Sequence, residues 1–144
     1  MKKIIIFLVF TSVLLTSCNF NANASYENET KEKENAESVS ALLYYNTGKN
    51  NFNEAINLFS DSIYDASKKD ALKQFLEEKK QTLGEFKDYS LVDWKTIRVT
   101  GTNPKTEYLL IYNVIYANYN AKESISLIKE KGKVKIVGYN VNKE

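Results

Sequence analysis

The run of residues 106–119, TEYLLIYNVIYANY, constrains the fold more than any other segment of this 144-residue chain. It is rich in β-branched and aromatic residues, which favour strands over helices. Tyrosine, leucine and valine occupy one set of alternate positions, and leucine, isoleucine and alanine occupy the other. An apolar pattern on both faces predicts a central strand that is covered on both sides, or one that lines a partly closed cavity.

The hydrophobic periodicity changes at Gly84 from a helical to a strand pattern. Three helices are predicted before it, over about 36–47, from Asn51 through the apolar stripe that ends at Ile63, and from Ser67 to Gly84. In the third helix, Glu77, Glu78, Lys79 and Lys80 are predicted to face mostly outward. Four strands with short turns are predicted after it, at 89–100, 106–119, 122–130 and 133–141. Short turns require antiparallel neighbours. The predicted fold is therefore α+β, with N-terminal helices packed on a curved antiparallel sheet of about four strands.

The N-terminal segment has the layout of a secretory signal: a basic start, an apolar run of about a dozen residues, and small residues before Cys18. The apolar run is shorter than the roughly 20 residues that cross a bilayer. We expect residues 1–17 to be a signal peptide. The Asn/Glu/Lys-rich residues 18–35 are expected to form a flexible tether, and residues 36–144 a single domain.

Leu15-Thr16-Ser17-Cys18 resembles the lipobox of bacterial lipoproteins. The resemblance implies that the Cys18 thiol carries diacylglycerol, that cleavage falls between Ser17 and Cys18, and that the new N-terminus is acylated. The expected location is the cell envelope, where the lipid holds the protein to the bacterial cell membrane or outer membrane. Two or more acyl chains anchor a protein stably.

Composition excludes several classes of function. The chain has 20 basic and 18 acidic residues, and Lys2 and Lys3 leave with the signal, so the mature net charge is near zero. A near-neutral chain lacks the basic face that nucleic acid binding needs, and it argues against a polybasic attachment to membranes. There is no histidine, and Cys18 is the only cysteine. No metal site or cofactor is therefore predicted.

Three segments resemble small exported bacterial families of cystatin-like or nuclear-transport-factor-like fold. They are GKNNFNEAINLF (48–59), LGEFKDYS (83–90) and KESISLIKEKGKVKIVGYNV (122–141). The resemblance implies a fold more than an activity, because these families mostly have no assigned function.

Aromatic residues of the strands are the candidate binding surface. Tyrosine combines a large apolar area with a polar tip and is enriched at interfaces. The hypothesis is a non-catalytic domain that binds a protein or a small apolar ligand, and ordinary strand packing is the alternative. The candidate residues are Trp94, Tyr108, Tyr112, Tyr116 and Tyr139, together with Tyr119.

Asp93 is the candidate pocket acid, because it is the one carboxylate set among apolar strand residues. Cone-shaped folds of this kind include enzymes that work with a buried carboxylate and tyrosine hydroxyls. A small enzyme that uses Asp93 and tyrosines is thus an alternative function. An inhibitor or immunity-type lipoprotein is another.

Overall fold

The computed structural model describes residues 23–144, and the predicted signal segment with Ser17 and Cys18 lies outside the described residues. The described chain forms five strands and three helices. In chain order these are β1 (Ser25–Glu27), α1 (Thr30–Gly48), α2 (Phe52–Ile56), α3 (Ala66–Leu83), β2 (Phe86–Val99), β3 (Lys105–Tyr116), β4 (Asn120–Glu130) and β5 (Lys133–Lys143). The strands pair antiparallel in the order β1-β2-β3-β4-β5. The predicted α+β class is confirmed, but the described sheet has five strands rather than four.

The additional strand is β1, which lies inside the segment predicted as a tether. Tyr26 pairs with Arg98, and the Arg98 guanidinium donates to both carboxylate oxygens of Glu29 at 2.6 and 2.7 Å. Helix α1 then begins at Thr30, six residues before the predicted start. Residues 25–35 are therefore held against the sheet, at β2 through Tyr26 and Glu29 and at β3 and β4 through Glu32. This polar segment carries no apolar pattern, so nothing local in it predicts the long-range pairing.

The second predicted helix is shorter than its apolar stripe suggested. Helix α2 ends at Ile56, and the following backbone pairs with β5 instead. Ser60 N donates to the Ile136 carbonyl at 2.8 Å, and Ile136 N donates to the Leu58 carbonyl at 3.0 Å. Phe59 is buried by this bridge. Ile63 is exposed, because the helix that would have turned it inward is absent.

Helix α3 ends at the predicted Gly84, and it begins at Ala66, one residue before the predicted start at Ser67. The Asp65 carboxylate caps it by accepting from Lys68 N at 3.0 Å. It stops at Gly84, whose φ of 87° favours glycine. A β-carbon at Gly84 would also meet the Asn118 side chain at 3.0 Å.

In α3, Leu72, Leu76 and Leu83 face inward, as the helical spacing predicts. Ala71 and Phe75, which the same spacing predicts to face inward, are exposed, and Lys79, expected to face outward, is buried.

Strand β3 is central, as predicted, but only one of its faces is covered. Its buried face packs against the helices and forms the middle of the core. On the opposite face Leu109 and Ile115 are exposed. The prediction of cover on both sides is wrong, because the helices pack on one face of the sheet and leave the other exposed. The buried face consists of Tyr108, Leu110, Tyr112, Val114 and Tyr116.

Candidate functional site

The three candidate tyrosines of β3 do not form an exposed surface. Tyr108, Tyr112 and Tyr116 alternate along the helix-facing side, and each is at most 6% exposed. A binding surface made of these residues is therefore a wrong prediction. They pack in the core because the period of two along a strand places all three on the covered face.

Trp94 and Tyr139 are half-buried at the margins of the core. The Lys33 ammonium lies 5.4 Å from the centroid of the Trp94 ring. Tyr139 differs from the other candidates because its ring borders a surface groove while its hydroxyl points inward. Tyr119, at the turn between β3 and β4, is exposed.

Asp93 is exposed and is not a pocket acid. It lies opposite Ile111 on the uncovered face of the sheet, and its carboxylate accepts from Trp94 N at 2.8 Å. A register shift between Leu91 and Asp93 interrupts the alternation of β2 at this point. The prediction is corrected because a solvated carboxylate on this face has no tyrosine hydroxyl beside it in the described chain.

The buried carboxylate of the molecule is instead Glu123, on the helix-facing side of β4. Its side chain is 0% exposed. Three tyrosine hydroxyls donate to it, from Tyr44 at 3.0 Å, Tyr116 at 2.6 Å and Tyr139 at 2.5 Å. Each oxygen of the carboxylate therefore accepts at least one hydrogen bond, as a buried charge requires.

Lys79 of α3 supplies the matching positive charge. Its ammonium lies 3.4 Å from Glu123 Oε1 and donates at 2.7 Å to the hydroxyls of both Tyr116 and Tyr139. Those two hydroxyls therefore accept from the lysine and donate to the glutamate. The ammonium also lies 5.0 and 5.2 Å from the centroids of the same two rings. We call Lys79, Glu123, Tyr44, Tyr116 and Tyr139 the Glu123 cluster.

Burial shifts the protonation equilibria of the Glu123 cluster. Desolvation, followed by the charge of Glu123, raises the pKa of Tyr44, Tyr116 and Tyr139 far above the usual value of tyrosine. Desolvation lowers the pKa of Lys79, and the charge of Glu123 partly opposes this effect. The three phenols thus stay protonated and serve as donors.

The Glu123 cluster has no room for a substrate. The cavity beside Lys79 and Tyr116 has a volume of about 10 Å³, enough for about one water molecule. All polar groups of the cluster bond to each other. Perturbed titratable groups in a closed, mutually satisfied network are typical of a structural ion pair, since catalysis needs access to the reacting group.

A second, smaller cluster lies at the other end of the interface between the helices and the sheet. Glu32 of α1 accepts from the Tyr108 hydroxyl at 2.6 Å and lies 3.4 Å from the Lys129 ammonium. Burial alone would raise the pKa of Glu32, but hydrogen bonds from Tyr108 and Asn35 and the charge of Lys129 hold it below its usual value. We call Glu32, Tyr108 and Lys129 the Glu32 cluster.

Sequence reasoning missed Glu123 and Lys79, although positional signals existed. In β4, Glu123 alternates with Ala121, Ile125 and Leu127, all of which are buried. In α3, Lys79 continues the helical spacing of the buried Leu72, Leu76 and Leu83. Both residues were assigned to the surface because charged side chains usually face solvent. A matched pair of opposite charges can nevertheless be buried in a core.

The groove between α3 and β5 is the site that suits an apolar ligand. Its volume is about 370 Å³, within the range of small-molecule sites. Phe75 is 38% exposed, and its ring packs edge-on against Tyr139 with centroids 6.0 Å apart. The Tyr139 wall is fixed because its hydroxyl is held by the Glu123 cluster. The lining residues are Tyr64, Lys68, Ala71, Leu72, Phe75 and Tyr139.

The chain matches no protein-family model and no curated protein. Within residues 23–144, no three acidic, histidine or cysteine side chains converge in a way that could hold a metal ion. In the same part of the chain, no helix is both long and apolar enough to cross a bilayer.

Proposed function

We propose that this protein is a lipid-anchored protein of the bacterial cell envelope whose domain binds a small apolar ligand without catalysis. The domain has a cystatin-like or nuclear-transport-factor-like fold in this proposal. The groove between α3 and β5 is the observation that carries the binding function. The lipobox at residues 15–18 carries the anchoring function.

The size of the groove favours a small ligand over a protein. A standard protein interface takes about 20–30 residues from each partner. The groove is lined by only six residues and encloses about 370 Å³. Apolar walls with one nearby ammonium, that of Lys68, suit a ligand that is mainly hydrocarbon or aromatic.

Two observations support a non-catalytic role. Asp93, the expected acid, is exposed on the opposite face of the sheet. The buried alternative, Glu123, is enclosed by its own hydrogen-bond donors. Neither carboxylate lines the groove.

Fluorescence of anilinonaphthalene sulfonate, an amphiphilic aromatic probe, tests the groove. Phe75→Ala removes one wall, and Ala71→Phe fills the space with an added ring. We expect each variant to weaken probe binding about tenfold or more, because a buried aromatic side chain contributes about 1.5–3 kcal/mol. Leu42→Ala is the matched control, since Leu42 is an exposed apolar residue of α1 outside the groove.

The groove proposal fails if the two groove variants bind the probe as well as the control variant does. Urea unfolding of each variant shows that the fold is retained. Ala71→Phe is the sharper test, because Ala71 is exposed and the added ring disturbs no buried contact.

The anchor has its own experiment. Cys18→Ala in the full chain should release the protein from the membrane fraction or leave an unprocessed precursor. Mass spectrometry of the purified wild-type protein should find diacylglycerol on Cys18. Normal maturation and unchanged membrane fractionation of the Cys18→Ala variant would overturn the anchor.

A further inference from the structure

The near-zero net charge of the mature chain conceals an uneven distribution. The hairpin of β4 and β5 places four lysines within seven residues, Lys129, Lys131, Lys133 and Lys135, with Glu130 as the single acid between them. A neutral chain argues against electrostatic membrane contact only when its charges are evenly mixed. The structure changes that expectation by concentrating positive charge at one turn.

Three of these lysines lack a neutralising partner. Lys129 pairs with Glu32, but Lys131 and Lys133 are exposed and form no ion pair with any residue of 23–144. Lys135 donates at 2.6 Å to the uncharged carbonyl of Asn57. This carbonyl carries no counter-charge for the ammonium.

The acids near the hairpin are occupied by other groups. Glu130 accepts from the hydroxyls of Ser60 and Ser62. Asp61, the other carboxylate beside these lysines, pairs with Lys69. The surplus at the turn is therefore about two positive charges.

The turn itself has a defined geometry. Lys131 and Gly132 both have positive φ, at 48° and 79°. This is the combination of a two-residue type I′ turn, which matches the twist of the flanking strands. The lysines are thus presented from a short, fixed hairpin rather than from a long loop.

The hairpin lies at the same end of the sheet as β1. Pairings of Tyr26 with Arg98, Val99 with Lys105 and Glu107 with Ile128 place the end of β2, the start of β3 and the end of β4 side by side. Three to four strand spacings, about 14–20 Å, separate β1 from the hairpin.

The chain between the lipid and β1 is short. Six residues lie between Cys18 and Ser25, so these two residues can be at most about 25 Å apart when the chain is fully extended. A lipid on Cys18 therefore keeps this end of the sheet close to the headgroups. Screening limits electrostatic attraction to roughly 8 Å at physiological salt, a distance that such a tether permits.

We propose that the β4–β5 hairpin is a second membrane contact, in which Lys131, Lys133 and Lys135 bind the headgroups of anionic phospholipids and orient the domain. The position of the hairpin near the bilayer rests on the lipid anchor proposed above. The acyl chains hold the protein at the membrane, and the hairpin selects which end of the sheet faces it.

Vesicle binding of the mature chain carrying Cys18→Ala tests this contact without the lipid. The vesicles are phosphatidylcholine alone, or phosphatidylcholine with one third phosphatidylglycerol. We expect binding to the anionic vesicles only, and loss of binding at high salt. Replacing Lys131, Lys133 and Lys135 together with glutamine should weaken binding about a hundredfold, since each lysine near the surface contributes about 1 kcal/mol.

The matched control replaces Lys49, Lys87 and Lys122 with glutamine. These exposed lysines change the net charge equally and lie where α1 ends and where β2 and β4 begin, at the opposite end of the sheet. Equal loss in both variants would overturn the proposal, because it would show a response to net charge alone. Equal binding to neutral vesicles would also overturn it, as would binding to soluble polyphosphate without binding to anionic vesicles.

The outcome is separable from that of the anchor. Diacylglycerol on Cys18 with no vesicle binding by the hairpin would remove only the second contact. An unmodified Cys18 with lysine-dependent vesicle binding would instead remove only the anchor.

Discussion

Glu123 and Glu32 are two buried glutamates with the same kinds of partner and different surroundings. Each accepts a hydrogen bond at 2.6 Å from a β3 tyrosine, and each lies 3.4 Å from a lysine ammonium. Glu123 accepts from two further hydroxyls, and its lysine side chain is 5% exposed. The lysine beside Glu32 is 35% exposed.

The comparison teaches that pair geometry alone does not set the energy of an ion pair. At the rim, water competes for the lysine and screens the charges, so the pair contributes little. In the core, both charges have lost their water, and removal of one leaves the other uncompensated. Because the Glu123 cluster is deeper, we expect every matched substitution to cost more there.

Removal of each carboxylate charge should give the largest difference. Glu123→Gln leaves the Lys79 ammonium buried without a counter-charge, so we expect a loss of about 3–5 kcal/mol in the free energy of unfolding. Glu32→Gln should cost about 1 kcal/mol, because water reaches Lys129. Urea unfolding at neutral pH measures both, and equal losses would contradict the comparison.

Alkaline pH should lower the free energy of unfolding more through the Glu123 cluster than through the Glu32 cluster, because the Glu123 cluster contains three tyrosines and the Glu32 cluster one. A phenol whose pKa is raised by folding keeps its proton when the unfolded chain loses it, so stability is intact below about pH 10 and falls above it. Each tyrosine contributes up to about 1.4 kcal/mol per pH unit, so the three of the Glu123 cluster together contribute up to about 4 kcal/mol per pH unit. The lowered pKa of Lys79 acts in the opposite direction, but only below about pH 10.5, where a lysine of the unfolded chain still holds its proton.

The slope of the free energy of unfolding against pH can be measured for tyrosine variants between about pH 9 and 11. Tyr116→Phe should reduce the slope by one proton. Tyr108→Phe should also reduce it by about one proton, because burial and the hydrogen bond to Glu32 raise the pKa of Tyr108 well above this range. A slope that neither variant changes would show that other groups cause the alkaline loss.

Substitution of Lys79 and of Lys129 should give a smaller difference in the free energy of unfolding. Lys79→Met keeps the three hydroxyl donors to Glu123, so we expect a cost of about 2–3 kcal/mol, the value for lost hydrogen bonds to a charged group. Lys129→Met should cost less than about 1 kcal/mol. The double variant Lys79→Met with Glu123→Gln should recover part of the loss of Glu123→Gln, since no buried charge is left uncompensated and the amide oxygen still accepts from tyrosine hydroxyls.

Substitution of Tyr112 should change the free energy of unfolding least, and it serves as an internal control for the other tyrosine variants. Burial raises the pKa of Tyr112 to about 12, yet within the described chain its hydroxyl is buried without a hydrogen-bond partner. Tyr112→Phe should therefore leave stability unchanged or raise it by up to about 1 kcal/mol. Tyr108→Phe, which removes a bonded hydroxyl, should lower it by about 1 kcal/mol. A large loss for Tyr112→Phe would show that its hydroxyl is bonded in solution.

Periodicity predicted most of the fold after residue 66. The strands lie within three residues of their expected bounds, and α3 ends at the expected glycine. Local signals suffice there, because each turn and cap is encoded within a few residues. The pairing of β1 and the early end of α2 were missed, since each depends on backbone partners about 70 residues away along the chain.

The candidate site was predicted only in its residue types. The tyrosines were recognised as unusual, but their assignment to a surface was wrong for three of them, and Asp93 was chosen over Glu123. Alternation places Glu123 on the apolar face of β4, yet burial of a charge becomes favourable only when a partner arrives from another element. Lys79 is that partner, and α3 brings it there from 44 residues earlier in the chain.

The sequence by itself determined the α+β class, the meander of long strands and the expected lipobox, because each follows from residue patterns read locally. Only the tertiary structure decided which face of β3 is covered, where Glu123 finds its charge partner, and which lysines remain unpaired. The physical reason is that a buried charge, a covered sheet face and a charge surplus are properties of neighbours in space. Such neighbours exist only after the helices have packed on the sheet.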